Sequence, residues 1–258
     1  MYRDTNCLLQ AHRGVSTDAP ENTMAAFRLA VAQGYDIIEF DPKMTKDNVP
    51  IILHDRTLNR TGRVAGESFG EEKVNIADLT FAELADIDVG LWFDKAYCGE
   101  HIPTLSQTLD YLKSVGMEAK IDNVVQRFTP EQIEIVFDVI EKHGAENVGL
   151  TCSELPLLEK FAARFPKAPL HYDGPADKES LDRLAAFAAG HKTTVWSRQD
   201  NKRTAWCKVP PVDADIAARI KSYGFLLGVW IIGNDEEMAE ALQFGADIVE
   251  TTGGVKPI

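Results

Sequence analysis

A chain of 258 residues that is 45% hydrophobic can bury a full core, in one large α/β domain or two small ones. Its formal charge of -13, from 27 basic and 40 acidic residues, argues against broad electrostatic binding of nucleic acid or of an anionic bilayer. No run of about 18 or more apolar residues occurs, and no apolar core follows a basic start, so a cytoplasmic enzyme without stable membrane insertion is the expectation. Cys7, Cys98, Cys152 and Cys207 stand too far apart for zinc or redox spacing and read as reduced thiols.

In chain order, Cys7 to His12 reads as a strand, and the helix after Pro20-Glu21-Asn22-Thr23 turns Phe27, Ala30 and Val31 inward before Gly34 stops it. Two strand-like runs follow, Tyr35 to Asp41 and Ile51 to Asp55. The stretch Thr45 to Pro50 between them is too short for a crossover helix, so the second run returns antiparallel. Side chains alternate along a strand, so Glu39 and Asp41 share a face. A turn centred between Asp47 and Asn48 pairs position 54 with position 41 and delivers His54 beside them.

From Arg56 to Pro103 the rhythm breaks into glycines and turn formers, with one helix, Thr80 to Asp86, capped by Thr80 and Glu83. This segment reads as an insertion, either a lid over the site or a decorative excursion. Met117 to Ile121 is the third core strand. Thr129 caps the helix after it, with Pro130 at its first position, an apolar face of Ile133, Val136, Phe137 and Ile140, and Gly144 at its end. Strand and helix then alternate: Val148 to Cys152 with a helix to about Arg164, Pro169 to Tyr172 with Lys178 to Ala189, and Thr193 to Ser197 with Ala214 to Tyr223. Leu227 to Ile232 with Asp235 to Phe244 continues the series, and Asp247 to Glu250 closes it. With the His54 hairpin set aside, about eight core strands alternate with helices. That count predicts an α/β fold, a TIM (β/α)8 barrel spanning 1–258, with an insertion at about 56–103 after the second barrel strand.

Barrel active sites lie at the C-terminal ends of the strands, where His12, Arg13, Glu39, Asp41, Glu118 and Lys120 fall. Three carboxylates, Glu39, Asp41 and Glu118, converging in a dry cavity repel by roughly 4 kcal/mol per close pair. A hard divalent cation, Mg2+ or Ca2+, would offset that; the alternative is an ion-pair network of Glu39 with Lys120 or Arg13. His12 and His54 would face each other across the metal. Two imidazoles suit a reaction in which one group takes a proton from a nucleophile while the other protonates a poor leaving group, as cleavage of a phosphodiester to an alcohol requires. Arg13 offers a fork for phosphoryl oxygens and Lys120 a second positive charge. Of the remaining mouth residues, Trp230 suits packing on an alcohol or glycerol moiety, Trp196 suits the core, and His171 suits the surface, a supporting place behind the site residues, or a substrate contact.

His12-Arg13-Gly14, Pro20-Glu21-Asn22-Thr23 with Phe27, Glu39-Phe40-Asp41, Thr45-Lys46-Asp47, His54-Asp55 with Leu58 and Arg60-Thr61, Ile102-Pro103-Thr104-Leu105 and Glu118-Ala119-Lys120 form an ordered set. The set resembles the glycerophosphodiester phosphodiesterase family, strongly from about residue 10 to 121 and more weakly to the end. The resemblance implies a TIM barrel in which Glu39, Asp41 and Glu118 hold a divalent metal, His12 and His54 are the acid/base pair, and Arg13 and Lys120 bind phosphate. It also implies that Glu21 lies near the glycerol or the metal. The implied reaction releases sn-glycerol 3-phosphate and an alcohol from small glycerophosphodiesters such as glycerophosphocholine or glycerophosphoethanolamine, by a route open to attack of the glycerol 2-hydroxyl. The last strand departs from the family's usual Thr-Asp-x-Pro ending and reads Glu250-Thr251-Thr252-Gly253. Two other readings stand beside this one. A lysophospholipase D-like lipid phosphodiesterase would expose an apolar rim at Phe69, Leu91, Trp92 and Phe93, and a silent barrel would only bind phosphorylated ligands. A homo-oligomer is compatible with the sequence.

Overall fold

In the computed structural model, which describes residues 6–199 and 207–257, β1 (Leu8–His12) is followed by α1 (Met24–Gln33). The ends of the 1–258 span and residues 200–206 lie outside the described residues. Thr23 caps α1 by accepting from Ala26 N, and Gly34 ends it in the left-handed region at φ 81°. β2 (Ile37–Phe40) then runs into a hairpin of β3 (Pro42–Met44) and β4 (Pro50–Ile52).

The hairpin is antiparallel as expected, but its register is one residue away from the expected one. Pro42 pairs with Ile52, and Leu53 N donates to the Asp41 carbonyl at 2.9 Å. The turn is the cause. Thr45 N donates to the Val49 carbonyl, leaving three residues in the loop, and Asn48 takes φ 58°. Asparagine tolerates that left-handed conformation, which a three-residue hairpin loop requires.

The insertion holds a short ribbon of β5 (Arg63–Val64) and β6 (Glu67–Ser68). Its Leu58, Ile76, Leu84, Ile87, Val89 and Ile102 pack with Ile51 and Leu53 of the hairpin into a separate apolar cluster. The expected helix at Thr80–Asp86 is only a single 3-10 turn, Ala82–Leu84, although Thr80 and Glu83 exchange hydrogen bonds. A helix absent from the sequence reading, α2 (Leu105–Ser114), follows instead. Thr104 and Gln107 form its capping box, and Leu105, Leu109 and Leu112 are its buried stripe.

The remaining units are β7 (Glu118–Ile121), α3 (Pro130–His143), β8 (Val148–Cys152), α4 (Leu155–Arg164), β9 (Leu170–Tyr172), α5 (Lys178–Ala185), β10 (Thr193–Arg198), α6 (Ala214–Ser222), β11 (Leu226–Trp230), α7 (Asp235–Gln243) and β12 (Ile248–Thr251). β1, β2 and β7 to β12 close into an eight-stranded parallel barrel, sealed by Leu8 opposite Ile248. The apolar core lies between strands and helices and includes Phe27, Phe40, Phe137 and Phe161. Inside the barrel, Ile37, Trp196 and Ile248 form a small plug, and Gly228 leaves room for the Trp196 ring, which a Cβ there would meet at 2.4 Å. The chain also buries the polar side chains of Gln10, Glu39, Lys120, His171 and Glu250, with Glu39 and Glu250 two residues beyond the plug's Ile37 and Ile248 on their strands. Among the described residues no helix is long and apolar enough to cross a membrane.

Candidate active site

His12 closes β1, with its Cα opposite Glu39 of β2, which in turn lies opposite Lys120 of β7. Arg13 turns the chain away at φ 61°, and its backbone N–H donates to Glu39 Oε2 at 3.0 Å. Asp41 follows β2, and Asp122 follows β7, whose last register brings Asp122 N to the Phe40 carbonyl at 3.1 Å. Ligand atoms of Glu39, Asp41 and Asp122 all lie within 4.8 Å of one another. Two ionised carboxylates at that separation repel by roughly 3 kcal/mol at an effective dielectric near ~20.

The three acids share that strain unevenly. Burial, then Asp41, Glu250 and Asp122, push the Glu39 carboxyl well above its ordinary value. Burial and Asp41 push Asp122 up to about 7. Asp41 is held below its ordinary value: burial works against ionisation, but Arg13, Lys43 and His54, together with the Asn22 amide at 2.8 Å, outweigh it. The protein's own cations are already engaged, Arg13 with Asp41 at 3.2 Å and Lys120 with Glu250 at 2.8 Å. An all-oxygen donor set in which two of the three acids, Glu39 and Asp122, resist ionisation for want of nearby positive charge fits a hard divalent cation.

A cavity of about 650 Å3 opens over this layer, bounded by His12, Arg13, Lys120, Asp173, Trp230 and Glu250 among others. His12 Nε2 lies 4.0 Å from Glu39 Oε2 and 3.9 Å from Glu250 Oε1. Burial lowers its pKa more than the acids restore it. Lys120 Nζ sits 4.2 Å from the centre of the Trp196 ring. Burial alone would lower its pKa, but Glu250 and Glu39 raise it, so the ammonium stays charged. Gln10 also donates to Glu250, and Trp230 Nε1 donates to Asp173 at 3.3 Å.

On the other flank, His54 borders a separate groove of about 800 Å3. Its Nδ1 lies 2.6 Å from Asp55 Oδ1, and Arg60 clamps Asp55 and Glu21 together at 2.7 and 2.6 Å. Burial opposes ionisation of Asp55, but the bonds from Arg60 and His54 bring its pKa down to about 2. Glu21 also meets Arg13 at 3.2 Å, and Arg60 rests on the Trp92 ring at 5.5 Å.

His12, Arg13, Glu39, Asp41, Lys120, Glu21 and His54 are therefore brought to one end of the barrel, with Trp230 on the cavity wall. Glu118 is not. It opens β7 opposite Ile37, at the far end from the acids, and its carboxylate meets Lys192 at 2.8 Å. The alternation that groups 118 with 120 holds, and it extends to Asp122, about 13 Å further along the strand at ~3.3 Å per residue. Asp122 takes the place expected of Glu118 in the acidic group. His171 is fully buried and not at the surface; it accepts from Trp196 Nε1 at 3.3 Å and so stands behind the ring that faces Lys120, the supporting place that was one of its expected positions. Glu250 was missed as a site residue; its signal was its position two residues beyond the interior-facing Ile248, where the usual family ending is lost.

Residues 12–251 match the sequence profile of the glycerophosphoryl diester phosphodiesterase family. The Bacillus subtilis protein YhdW is 44% identical over 108 residues, 42% of this chain and 41% of that protein. The glycerophosphodiester phosphodiesterase of Caldanaerobacter subterraneus subsp. tengcongensis is 34% identical over 145 residues, 50% of this chain and 56% of the relative. The chain thus spans about half the length of these two relatives. In fold, it superposes on an Oleispira antarctica phosphodiesterase solved in complex with the product sn-glycerol-3-phosphate, with TM-score 0.77 and 23% identity, covering 96% of this chain and 93% of that one.

Proposed function

The chain belongs to the glycerophosphoryl diester phosphodiesterase family, and from that premise we propose that it hydrolyses glycerophosphodiesters to sn-glycerol 3-phosphate and an alcohol. The observation that carries the reading is the convergence of Glu39, Asp41 and Asp122 within 4.8 Å, with His12 beside Glu39 and His54 tied to Asp41 through the chain Asp55, Arg60, Glu21 and Arg13. Glu39, Asp41 and Asp122 would hold a divalent cation, Mg2+ or Ca2+, which when bound supplies positive charge to a phosphoryl oxygen.

The chain's own residues do the rest. Arg13 and Lys120 bind the remaining phosphoryl oxygens, and Trp230 packs on the glycerol. His12 takes the proton from the glycerol 2-hydroxyl as that oxygen bonds to phosphorus. Asp55 accepts from His54 Nδ1–H and so fixes the ring, leaving Nε2 to deliver a proton to the departing alcohol as its P–O bond breaks. Water then opens the cyclic phosphate: His54 takes a proton from the water as its oxygen bonds to phosphorus, and His12 returns one to the 2-oxygen as that P–O bond breaks, which restores both imidazoles. Attack from within one substrate molecule replaces roughly 7–11 kcal/mol of barrier by proximity. A lipid-cleaving reading lacks comparable support, because Phe69, Leu91, Trp92 and Phe93 are half-buried and not an exposed rim.

The test is release of sn-glycerol 3-phosphate from glycerophosphocholine, glycerophosphoethanolamine and glycerophosphoglycerol with Mg2+, Ca2+ or EDTA. Metal-dependent release is expected. No release from any of them with either metal would remove the proposal.

A further inference from the structure

The groove beside His54 lies outside the barrel cavity and has a chemistry of its own. β3, the insertion and the turn after β7 build it, with Met44, Ile76, Val124 and Phe128 as apolar lining. Lys43 also lines it, half-buried, with Asp41 and Asp122 favouring its charged form against burial. Arg56 and Arg127 line it as exposed side chains, and neither guanidinium forms a hydrogen bond or ion pair among the described residues. Of the groove's two acids, Asp55 is held by His54 and Arg60, and Asp78 accepts from the neutral Asn75 amide at 3.0 Å, so Lys43, Arg56 and Arg127 outnumber the one lining acid that no cation holds among the described residues. Arg127 borders both spaces, so the groove and the barrel cavity meet at that side chain.

In phosphoryl transfer the attacking and leaving oxygens stand roughly in line on opposite sides of phosphorus. His12 borders the barrel cavity and His54 the groove. A glycerol moiety in the cavity therefore sends the opposite substituent past His54 into the groove. We propose that the groove receives the leaving alcohol, and that Arg56 and Arg127 favour an alcohol carrying its own anionic group over a neutral or cationic one. This inference rests on the phosphodiesterase reading. Two unpaired planar guanidiniums match the oxygens of a phosphate or carboxylate, whereas a quaternary ammonium would meet them as like charge.

The experiment compares kcat/KM for glycerophosphoinositol 4-phosphate, glycerophosphoinositol and glycerophosphocholine, which differ in the charge of the leaving alcohol. The expected result is a preference of about tenfold or more for the anionic alcohol over the neutral one, with the cationic one last. In the double variant Arg56→Gln/Arg127→Gln the anionic-to-neutral ratio should fall to within about twofold. A wild-type ratio of one or less, or a ratio retained in the double variant, would overturn the proposal. If no diester is cleaved, the phosphodiesterase reading fails by itself, and calorimetry with inositol 4-phosphate decides the groove. Binding that the double variant loses would support it; no binding to the wild type would overturn it.

Discussion

Lys120 Nζ donates to Glu250 Oε2 at 2.8 Å inside the barrel, and only 5% and 6% of the two side chains reach solvent. A buried ammonium with its carboxylate removed is left uncompensated, which typically costs 3–5 kcal/mol, or about 3 kcal/mol at the low end. Gln10 loses an acceptor in the same change. Glu250→Ala is therefore expected to lower the unfolding free energy in urea by about 3 kcal/mol, and a loss under about 1 kcal/mol would show that Lys120 finds another partner.

The acidic group makes opposite claims for two residues of one strand. Asp122 lies with Glu39 and Asp41, while Glu118 is paired with Lys192 at the far end. Titration calorimetry with Ca2+ or Mg2+ should show Kd raised at least about tenfold in Glu39→Gln and Asp122→Asn, and within about twofold of wild type in Glu118→Gln. The reverse order, with Glu118→Gln weakening the metal and Asp122→Asn leaving it, would refute the assignment.

Asp55 fixes the ring of His54 across 2.6 Å, and Arg60 fixes Asp55. Asp55→Asn keeps the size but removes the charge that selects the Nδ1–H form. A drop in kcat of at least about tenfold, with little change in KM, is expected, since general acid catalysis contributes typically 10²–10⁴-fold. A loss confined to KM would place Asp55 in substrate binding instead.

Much of this was legible in the sequence, and the failures have physical causes. The barrel strands announce themselves as apolar runs between capped helices, and Thr129-Pro130-Gln132 marked α3 to the residue. α2 carried an equally clear box at Thr104 and Gln107, but it adjoins the irregular insertion, where no strand precedes it to set the rhythm. The hairpin register turned on whether Asn48 would accept a left-handed conformation, a choice between two-residue and three-residue loops that alternation alone does not make. Glu118 was misplaced because alternation tells which face a side chain takes but not how far along the barrel it sits; only the pairing of Glu39 with Lys120 sets that level. Glu250 needed contacts across the barrel, between residues 130 positions apart.

His171 gives the fold a dependence on acidity. Burial first, then Lys120 and Lys192, hold its pKa well below the ordinary 6.5. The unfolded chain takes up a proton near pH 6.5 while the folded one refuses it, so this residue's contribution is present above that pH and is lost as pH falls toward the folded value. The slope from one such group reaches at most about 1.4 kcal/mol per pH unit. Urea midpoints at about pH 7.5 and about pH 5.5 should differ less in His171→Gln than in the wild type. An identical drop in both proteins would assign the acid sensitivity elsewhere.

In the proposed reaction His12 and His54 move the protons of a metal-assisted phosphodiester cleavage. The decisive measurement is the rate of sn-glycerol 3-phosphate release from glycerophosphoglycerol by wild type, His12→Ala and His54→Ala under saturating metal and substrate, with folding checked by circular dichroism. Each variant is expected to lose at least about 10²-fold in kcat. A near wild-type rate in either one would contradict that role.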